Sequence, residues 1–296
     1  SDGAANEINV ASVAGGGIAV LGAATTINGS TAPFVSTAPA RNIVANLGGG
    51  DDVVAFSNNS WGVARLFAFL HGSPFSPENP VVPQEAIDSV SGGASVFTLT
   101  GSIMLTTGTG NDTVAIVGDV GGNVTASLGP AASTVARKGN LFGIGWDEDR
   151  VQSQLRQSRV GGSLVVTGGP QADGLGVFAV DVGRSVVAAL SGGTNTVDCI
   201  FGRINDNLTV TGGGDSDLLL LGSSVVRGAV SIAVGGGGDD VLISDRTSFV
   251  RTVVGSISIA TGAGADNVIV GDIAVRHDAR IATGPGTDMV RAGVGL

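Results

Sequence analysis

Short runs with an apolar residue at every second position recur along the chain, and each run is followed by a Gly-rich phrase. The clearest runs are Leu164-Val-Val166, Leu208-Thr-Val210 and Ile257-Ser-Ile259, whose first and third residues are apolar. A period of two is typical of a β-strand that buries one face. The pattern therefore predicts strands rather than helices for the repeating part of the chain.

The Gly-rich phrase reads Gly-x-Gly-x-Asp-x-hydrophobic, and its first position recurs through most of the sequence. This anchor position comprises Gly48, Gly108, Gly129, Gly169, Ser191, Gly213, Gly236, Gly262 and Gly284. Most intervals between anchors are 21 to 26 residues, but two are 60 and 40 residues. A fixed period of this size indicates a solenoid, in which each coil depends on its neighbours to bury its apolar face.

We therefore expect an all-β fold, a single-stranded parallel β-helix or solenoid of about nine coils of about 22 residues. Each coil is predicted to contain a strand, a Gly-rich corner, a second strand and a second turn, with glycine supplying the tight corners. Residues 1–41 depart from the repeat and predict a degenerate N-terminal capping coil, followed by the solenoid over residues 42–296.

The two long intervals predict loop or short-helix insertions on one edge of the solenoid, at about 57–92 and 138–160. We expect a short helix at Trp61–Leu70 and one or two helical turns within Val151–Arg159. Loops on a rigid scaffold are where repeat proteins place recognition. The candidate partner-binding residues are Trp61, Phe67, Phe69, His71, Trp146, Asp147, Glu148 and Asp149. They either pack on one another as a lid or bind a glycan or a partner chain.

The fourth residue after each anchor forms a polar column. It comprises Asp52, Asp112, Ser133, Asp173, Asn195, Asp217, Asp240, Asp266 and Asp288. Two carboxylates about 4.8 Å apart repel by roughly 3 to 4 kcal/mol at an effective dielectric of about 20. Either backbone amides of the corner compensate the charge, or calcium does. Asn195 and Ser133 favour the first alternative, because both can bond the turn without bringing charge.

The segment Gly235-Gly-Gly-Gly-Asp-Asp-Val-Leu242 resembles the nonapeptide of RTX (hemolysin-type calcium-binding) repeats, and Gly108–Val114 is similar to it. This resemblance implies a parallel β-roll, secretion from a bacterium and calcium between the corners, with Asp217, Asp240 and Asp266 as possible ligands. The coil here is longer than the RTX coil of about 18 residues, and its opposite corner lacks the phrase. The chain more closely resembles the Gly/Asp-rich β-solenoid repeats of bacterial surface proteins, which implies an extracellular or cell-surface location.

Composition limits the classes of partner and activity that the sequence predicts. A net charge of −10 and an isoelectric point near 4.5 argue against nucleic acid as a partner. No apolar run is long enough to span a membrane. Cys199 falls in an apolar column and predicts a small buried side chain rather than a nucleophile. With two histidines and no tyrosine, the chain offers little for catalysis, and we expect no enzyme.

The sequence favours an extracellular structural or adhesive scaffold that self-assembles or binds a surface protein or glycan. A calcium-dependent, RTX-like binding module is the alternative, and a polysaccharide-active β-helix enzyme is a less favoured one. The start at Ser1 shows no leader and fits a processed product. The last phrase begins at Gly284 and no capping sequence follows it, so we expect another subunit, the last residues or further polypeptide to cover the terminal coil.

Overall fold

The computed structural model of the protein describes residues 5–23, 25–71, 83–92, 94–133, 139–145, 147–149, 154–245 and 251–294. In chain order its elements are β1 Glu7–Val13, β2 Gly17–Ala23, β3 Phe34–Ser36, β4 Ile43–Asn46, β5 Val53–Ser57, α1 Ser60–Leu70, α2 Gln84–Ser91, β6 Phe97–Leu99, β7 Ile103–Thr106, β8 Thr113–Val120, β9 Val124–Ser127, β10 Asn140–Gly145, β11 Asp147–Asp149, β12 Gln154–Arg156, β13 Ser158–Val160, β14 Leu164–Thr167, β15 Asp173–Phe178, β16 Val180–Val182, β17 Val186–Ala189, β18 Thr196–Ile200, β19 Arg203–Ile204, β20 Leu208–Thr211, β21 Leu218–Gly222, β22 Val225–Ala233, β23 Asp240–Ser244, β24 Val253–Ala260, β25 Asn267–Val275, β26 Ala279–Ala282 and β27 Met289–Val294.

The strands form three parallel stacks, which confirms the β-solenoid. The first stack, before the Gly-rich corner, contains β4, β7, β9, β14, β17, β20 and β26, with the second halves of β22 and β24. The second stack, after the corner, contains β5, β10, β15, β18, β21, β23 and β27, with the first halves of β8 and β25. Each strand therefore pairs with its equivalents in the coils before and after it.

A third stack was not predicted, because each coil was expected to contain only two strands. It contains β6, β13, β16 and β19, with the ends of β8 and β25 and the first halves of β22 and β24. Between the second and third stacks the chain turns through left-handed residues, including Ala179 (φ 52°), Phe201 (φ 56°) and Ser223 (φ 50°). Residues other than glycine rarely adopt a positive φ, so these positions did not indicate a corner in the sequence.

The core lies inside the coil, where apolar side chains form columns that continue from one strand to the next. The predicted inward residues of the first stack, such as Leu164 and Val166, are buried. In the second stack the column of Val197 and Leu219 continues through Val241 and Val268. Cys199 lies in a neighbouring inward column, and burial raises the pKa of its thiol to about 12, as expected for a small core side chain.

The N-terminal segment closes one end of the second stack. β1 lies parallel to β5, while β2 pairs antiparallel with β1 and β3 pairs antiparallel with β2. The helix α2 packs on this hairpin through Ile87, which contacts the cluster of Ala11, Ala19 and Leu21. Residues 1–41, expected as a degenerate coil, therefore contain an antiparallel hairpin in their described part.

The first insertion contains the expected helix. α1 packs on the outer face of β5, β8 and β10, where Leu66 and Leu70 join Ala115, Val117 and Leu141 in a buried cluster. Gly143 in β10 leaves room for α1, because a Cβ atom there would lie 2.7 Å from Cδ1 of Leu70. The first insertion therefore covers one flank of the solenoid.

The second insertion is shorter than predicted. β10 and β13 belong to the second and third stacks, so residues 140–145 and 158–160 are parts of a coil. Between them, β11 and β12 form an antiparallel hairpin. The helical turns expected within Val151–Arg159 are wrong for the described residues, since 154–156 and 158–160 are strands. Residues 151–153 lie outside the described part.

Candidate functional site: the aspartate ladder

A column of buried polar side chains follows the Gly-rich corner through the solenoid. In the structure this ladder comprises Asp52, Asp112, Asn140, Asp173, Asn195, Asp217, Asp239, Asp266 and Asp288. All except Asp288, in the last described coil, are buried. These residues face inward because each lies at the start of the second strand of its coil or one residue before it. The apolar residue two positions later lies on the same face of the strand and also points into the core.

Every ladder side chain except Asp173 accepts a hydrogen bond from the backbone of the coil or strand before it. The amide N–H of Asp52 donates to Oδ1 of Asp112 over 3.0 Å, and that of Asp112 donates to Oδ1 of Asn140 over 3.0 Å. Further along, Oδ1 of Asp217 accepts from Asn195 and Oδ1 of Asp239 accepts from Asp217, both over 2.8 Å. The ladder therefore ties successive coils together, whereas the sequence predicted bonds within each corner.

In some coils the backbone amide of the anchor residue also donates to the second carboxylate oxygen of the ladder residue. Two coils have this bond: Gly169 donates to Oδ2 of Asp173 over 2.7 Å, and Gly213 donates to Oδ2 of Asp217 over 3.3 Å. Neither of these glycines has a positive φ. These two carboxylates fit the predicted Asx-type turn as well as the ladder.

The anchors of five other coils adopt left-handed backbone. Gly48, Gly108 and Gly235, which takes the place of the predicted anchor Gly236, have φ between 91° and 93°, and Gly262 and Gly284 have φ of 85° and 77°. In the coils of Gly48, Gly108 and Gly235 the ladder residues Asp52, Asp112 and Asp239 keep a buried Oδ2 without a hydrogen-bond partner among the described residues, whereas Oδ2 of Asp266 in the Gly262 coil accepts the Thr261 hydroxyl. Asp173 likewise keeps an unpartnered Oδ1. Buried polar atoms normally have partners, so these four oxygens mark where the ladder is incomplete.

Two predicted members of the column are corrected. Asp239 occupies the slot assigned to Asp240, which is exposed and accepts a hydrogen bond from the Asn267 side chain over 3.0 Å. Asn140 occupies the slot assigned to Ser133, because the corner after Gly129 is longer than the others.

The four glycines and two aspartates at 235–240 permit two alignments of the repeat, and only the residues that follow distinguish them. Ile243 faces the core in the correct alignment, whereas the other would place Ser244 there.

Burial dominates the electrostatics of the ladder. It raises the pKa of Asp173 to about 7 and that of Asp217 to about 6, against opposing hydrogen bonds from backbone amides. It also raises the pKa of Asp112, and it raises that of Asp239 to about 7. The charges of Asp217 and Asp266 raise the pKa of Asp239 further. Asn140 and Asn195 separate the carboxylates into shorter groups, which limits this repulsion.

The ladder also bears on the calcium hypothesis. In Asp217 and Asp266, two of the three possible ligands, Oδ1 faces a backbone N–H, and Asp240 points outward. Within the described ranges, no group of three or more His, Cys, Asp or Glu residues is arranged to hold a metal ion. Calcium at Asp217, Asp240 or Asp266 therefore rests on the sequence resemblance alone.

A second ladder, which the sequence did not reveal, follows the corner between the third and first stacks. Here the amide of Ser102 donates to Asn42, that of Asn123 to Ser102 and that of Ser163 to Asn123, over 2.8 to 3.0 Å. Asn207 and Ala229 continue the same arrangement. The only signal was a recurrence of Ser or Asn, such as Ser163, Ser185 and Asn207 at intervals of 22 residues. This ladder is uncharged.

The structure brings the two predicted insertions together, since α1 contacts β11. Trp61, Phe67 and Phe69 lie on α1, and Asp147, Glu148 and Asp149 form β11. Phe67 is half-buried and packs on the cluster beneath the helix, as a lid residue would, and His71 follows the helix in an exposed position. Trp146 lies outside the described residues, as do the side chains of Trp61, Phe69 and β11. A partner-binding role for this set stays a prediction.

Neither described helix combines the length and apolar character that a membrane span requires. No protein-family model matches the chain, and comparison with curated proteins and with solved structures gives no significant match.

Proposed function

We propose that the chain is a structural or adhesive scaffold of a bacterial cell surface, which self-assembles or binds a surface partner through its ends and flank. The ladder supports this proposal, because it commits the buried polar side chains of the corner to bonds between coils. A stack joined by backbone pairing and by side-chain bonds in each corner resists bending and sliding. Such stiffness suits a spacer or scaffold.

The observation that carries self-assembly is the difference between the two ends. At the N-terminal end, β1 pairs with β5, and the inward Val54 of β5 is only 2% exposed. In the last described coil, β27 pairs with β25 alone, and the inward Val290 is 46% exposed. An open strand edge beside exposed core residues favours pairing with another polypeptide.

Sedimentation equilibrium of the chain over a range of concentrations tests this proposal. We expect concentration-dependent association, and we expect Val290→Lys to abolish it, because a charge on an open strand edge opposes pairing. Met104→Lys is the control, since Met104 is 56% exposed on β7, a strand of the first stack that is paired on both sides. A monomer at every concentration, or equal loss of association in both variants, would contradict self-assembly through β27.

A further inference from the structure

The incomplete part of the ladder has a consequence beyond a scaffold role. Asp112 uses Oδ1 to accept the amide N–H of Asp52, and Asp173 uses Oδ2 to accept that of Gly169, yet the other oxygen of each is buried without a hydrogen-bond partner in the described part of the chain. A buried carboxylate with an empty oxygen is expensive to keep ionised, and binding a proton there removes the charge.

The neutral members of the ladder show what this slot accepts. Asn140 and Asn195 accept the same backbone N–H on Oδ1. Their amide groups donate to the carbonyl of the anchor residue, Gly129 over 2.5 Å and Ser191 over 3.4 Å. A carboxylate has no proton with which to make that bond, whereas a carboxylic acid does. A protonated Asp therefore has the donor and acceptor character of the Asn that replaces it in other coils.

The charged groups that face Asp112 are Asp52 and Asp51, and both oppose its ionisation. Asp173 lies in the ladder between Asn140 and Asn195, and burial opposes its ionisation.

We propose that the ladder is a pH-sensitive lock, in which protonation of Asp112 and Asp173 stabilises the stacked coils in mildly acidic conditions and their ionisation weakens the stack as the pH rises. The direction follows from linkage. A carboxyl whose pKa is higher in the folded chain than in the unfolded chain binds protons more tightly when folded. Its stabilising effect is full below about pH 4 and is lost as the pH rises through the folded value, about 7 for Asp173.

Thermal melting at about pH 5 to 8 tests the lock, because ordinary carboxyls are mostly ionised throughout that range. We expect the Tm of the wild type to fall by roughly 3 to 10 °C across it. The double variant Asp112→Asn, Asp173→Asn should lose at least half of that fall. Asn keeps an acceptor oxygen at each position and adds the amide donor that Asn140 and Asn195 use in their own coils.

Asp278→Asn is the control. It also removes an acidic charge, but its side chain is exposed and is not among the groups that face Asp112 or Asp173. We expect this variant to keep the wild-type dependence on pH, which separates the lock from the general relief of repulsion in an acidic protein. A wild-type Tm that does not fall, or a double variant whose Tm falls as far as that of the wild type, would overturn the proposal.

Infrared spectroscopy of the folded wild type provides a second measurement, which remains decisive if the double variant does not fold. At about pH 6 we expect a band from protonated carboxyl groups that disappears on unfolding, because unfolded Asp titrates near pH 4. A folded protein whose carboxyls are all ionised at that pH would refute the lock.

Discussion

At the scale of single residues, the ladder position requires an acceptor more than it requires a charge. Asp and Asn both fill it, and both accept the amide N–H of the preceding coil through Oδ1. They differ at the second polar atom, which is an acceptor in ionised Asp and a donor in Asn. Where the anchor amide or a hydroxyl donates to this atom, the second oxygen of Asp has a hydrogen-bond partner. Elsewhere that oxygen lacks one among the described residues.

Asp266 is the member whose two oxygens are best supplied, so its removal tests the ladder itself. Oδ1 accepts the amide of Asp239 over 3.0 Å, and Oδ2 accepts the Thr261 hydroxyl over 2.5 Å. We expect Asp266→Ala to lower the free energy of unfolding by about 2 to 4 kcal/mol, because it leaves the buried Asp239 amide unpaired and removes the nearer acceptor of the Thr261 hydroxyl. Urea denaturation measures the loss.

The exposed Asp240 provides the comparison for the loss of stability in Asp266→Ala. Asp240→Ala should change stability by less than about 0.5 kcal/mol, as is usual for a surface substitution. Losses of similar size in the two variants would argue against the structural role of the column.

At the scale of elements, α1 acts as a lid over the second stack. Its residues Val63, Leu66 and Leu70 pack on small or flat residues of the strands, among them Ala55, Ala115 and Gly143. These small residues form a shallow recess, and the helix fills it. The aromatic residues of the first insertion therefore have a structural use whether or not they also bind a partner.

Truncation of Leu66 measures how much the lid stabilises the solenoid. Leu66 is fully buried, so we expect Leu66→Ala to lower the free energy of unfolding by about 2 to 5 kcal/mol. Val44→Ala, at an exposed position on β4, should have little effect in the same urea titration. A loss below about 1 kcal/mol for Leu66→Ala would mean that α1 is only loosely attached.

Elements also show how far the sequence could predict the structure. Alternating runs such as Leu208-Thr-Val210 were long enough to identify strands and their inward residues. The third stack was missed because strands such as β16 and β19 begin directly after a corner of one or two residues, and β8 and β25 run through both stacks, so the sequence shows no clear break between the second and third stacks. Asn140 was missed because its corner is longer, and Asp239 because consecutive glycines and aspartates leave the register open by one residue.

At the scale of the whole molecule, stability comes from repeated contacts between neighbouring coils, so a change in one corner affects the coils on both sides. This distinguishes two ways of compensating a column of carboxylates. A cation between corners would join coils only when bound, whereas amide donors are part of every coil. The directed N–H groups at Oδ1 favour the second way.

Thermal melting in calcium and in chelator tests this distinction. A ligand that binds only the folded chain must raise its stability. Because backbone amides already occupy Oδ1 of Asp112, Asp217 and Asp266, we expect the Tm to agree within about 1 °C between the two conditions at one pH. A rise of several degrees in calcium that Asp239→Asn removes would instead place the ion in the corner and support the RTX-like alternative. A rise that persists in this variant would place calcium elsewhere on the acidic surface and leave the hydrogen-bonded ladder intact.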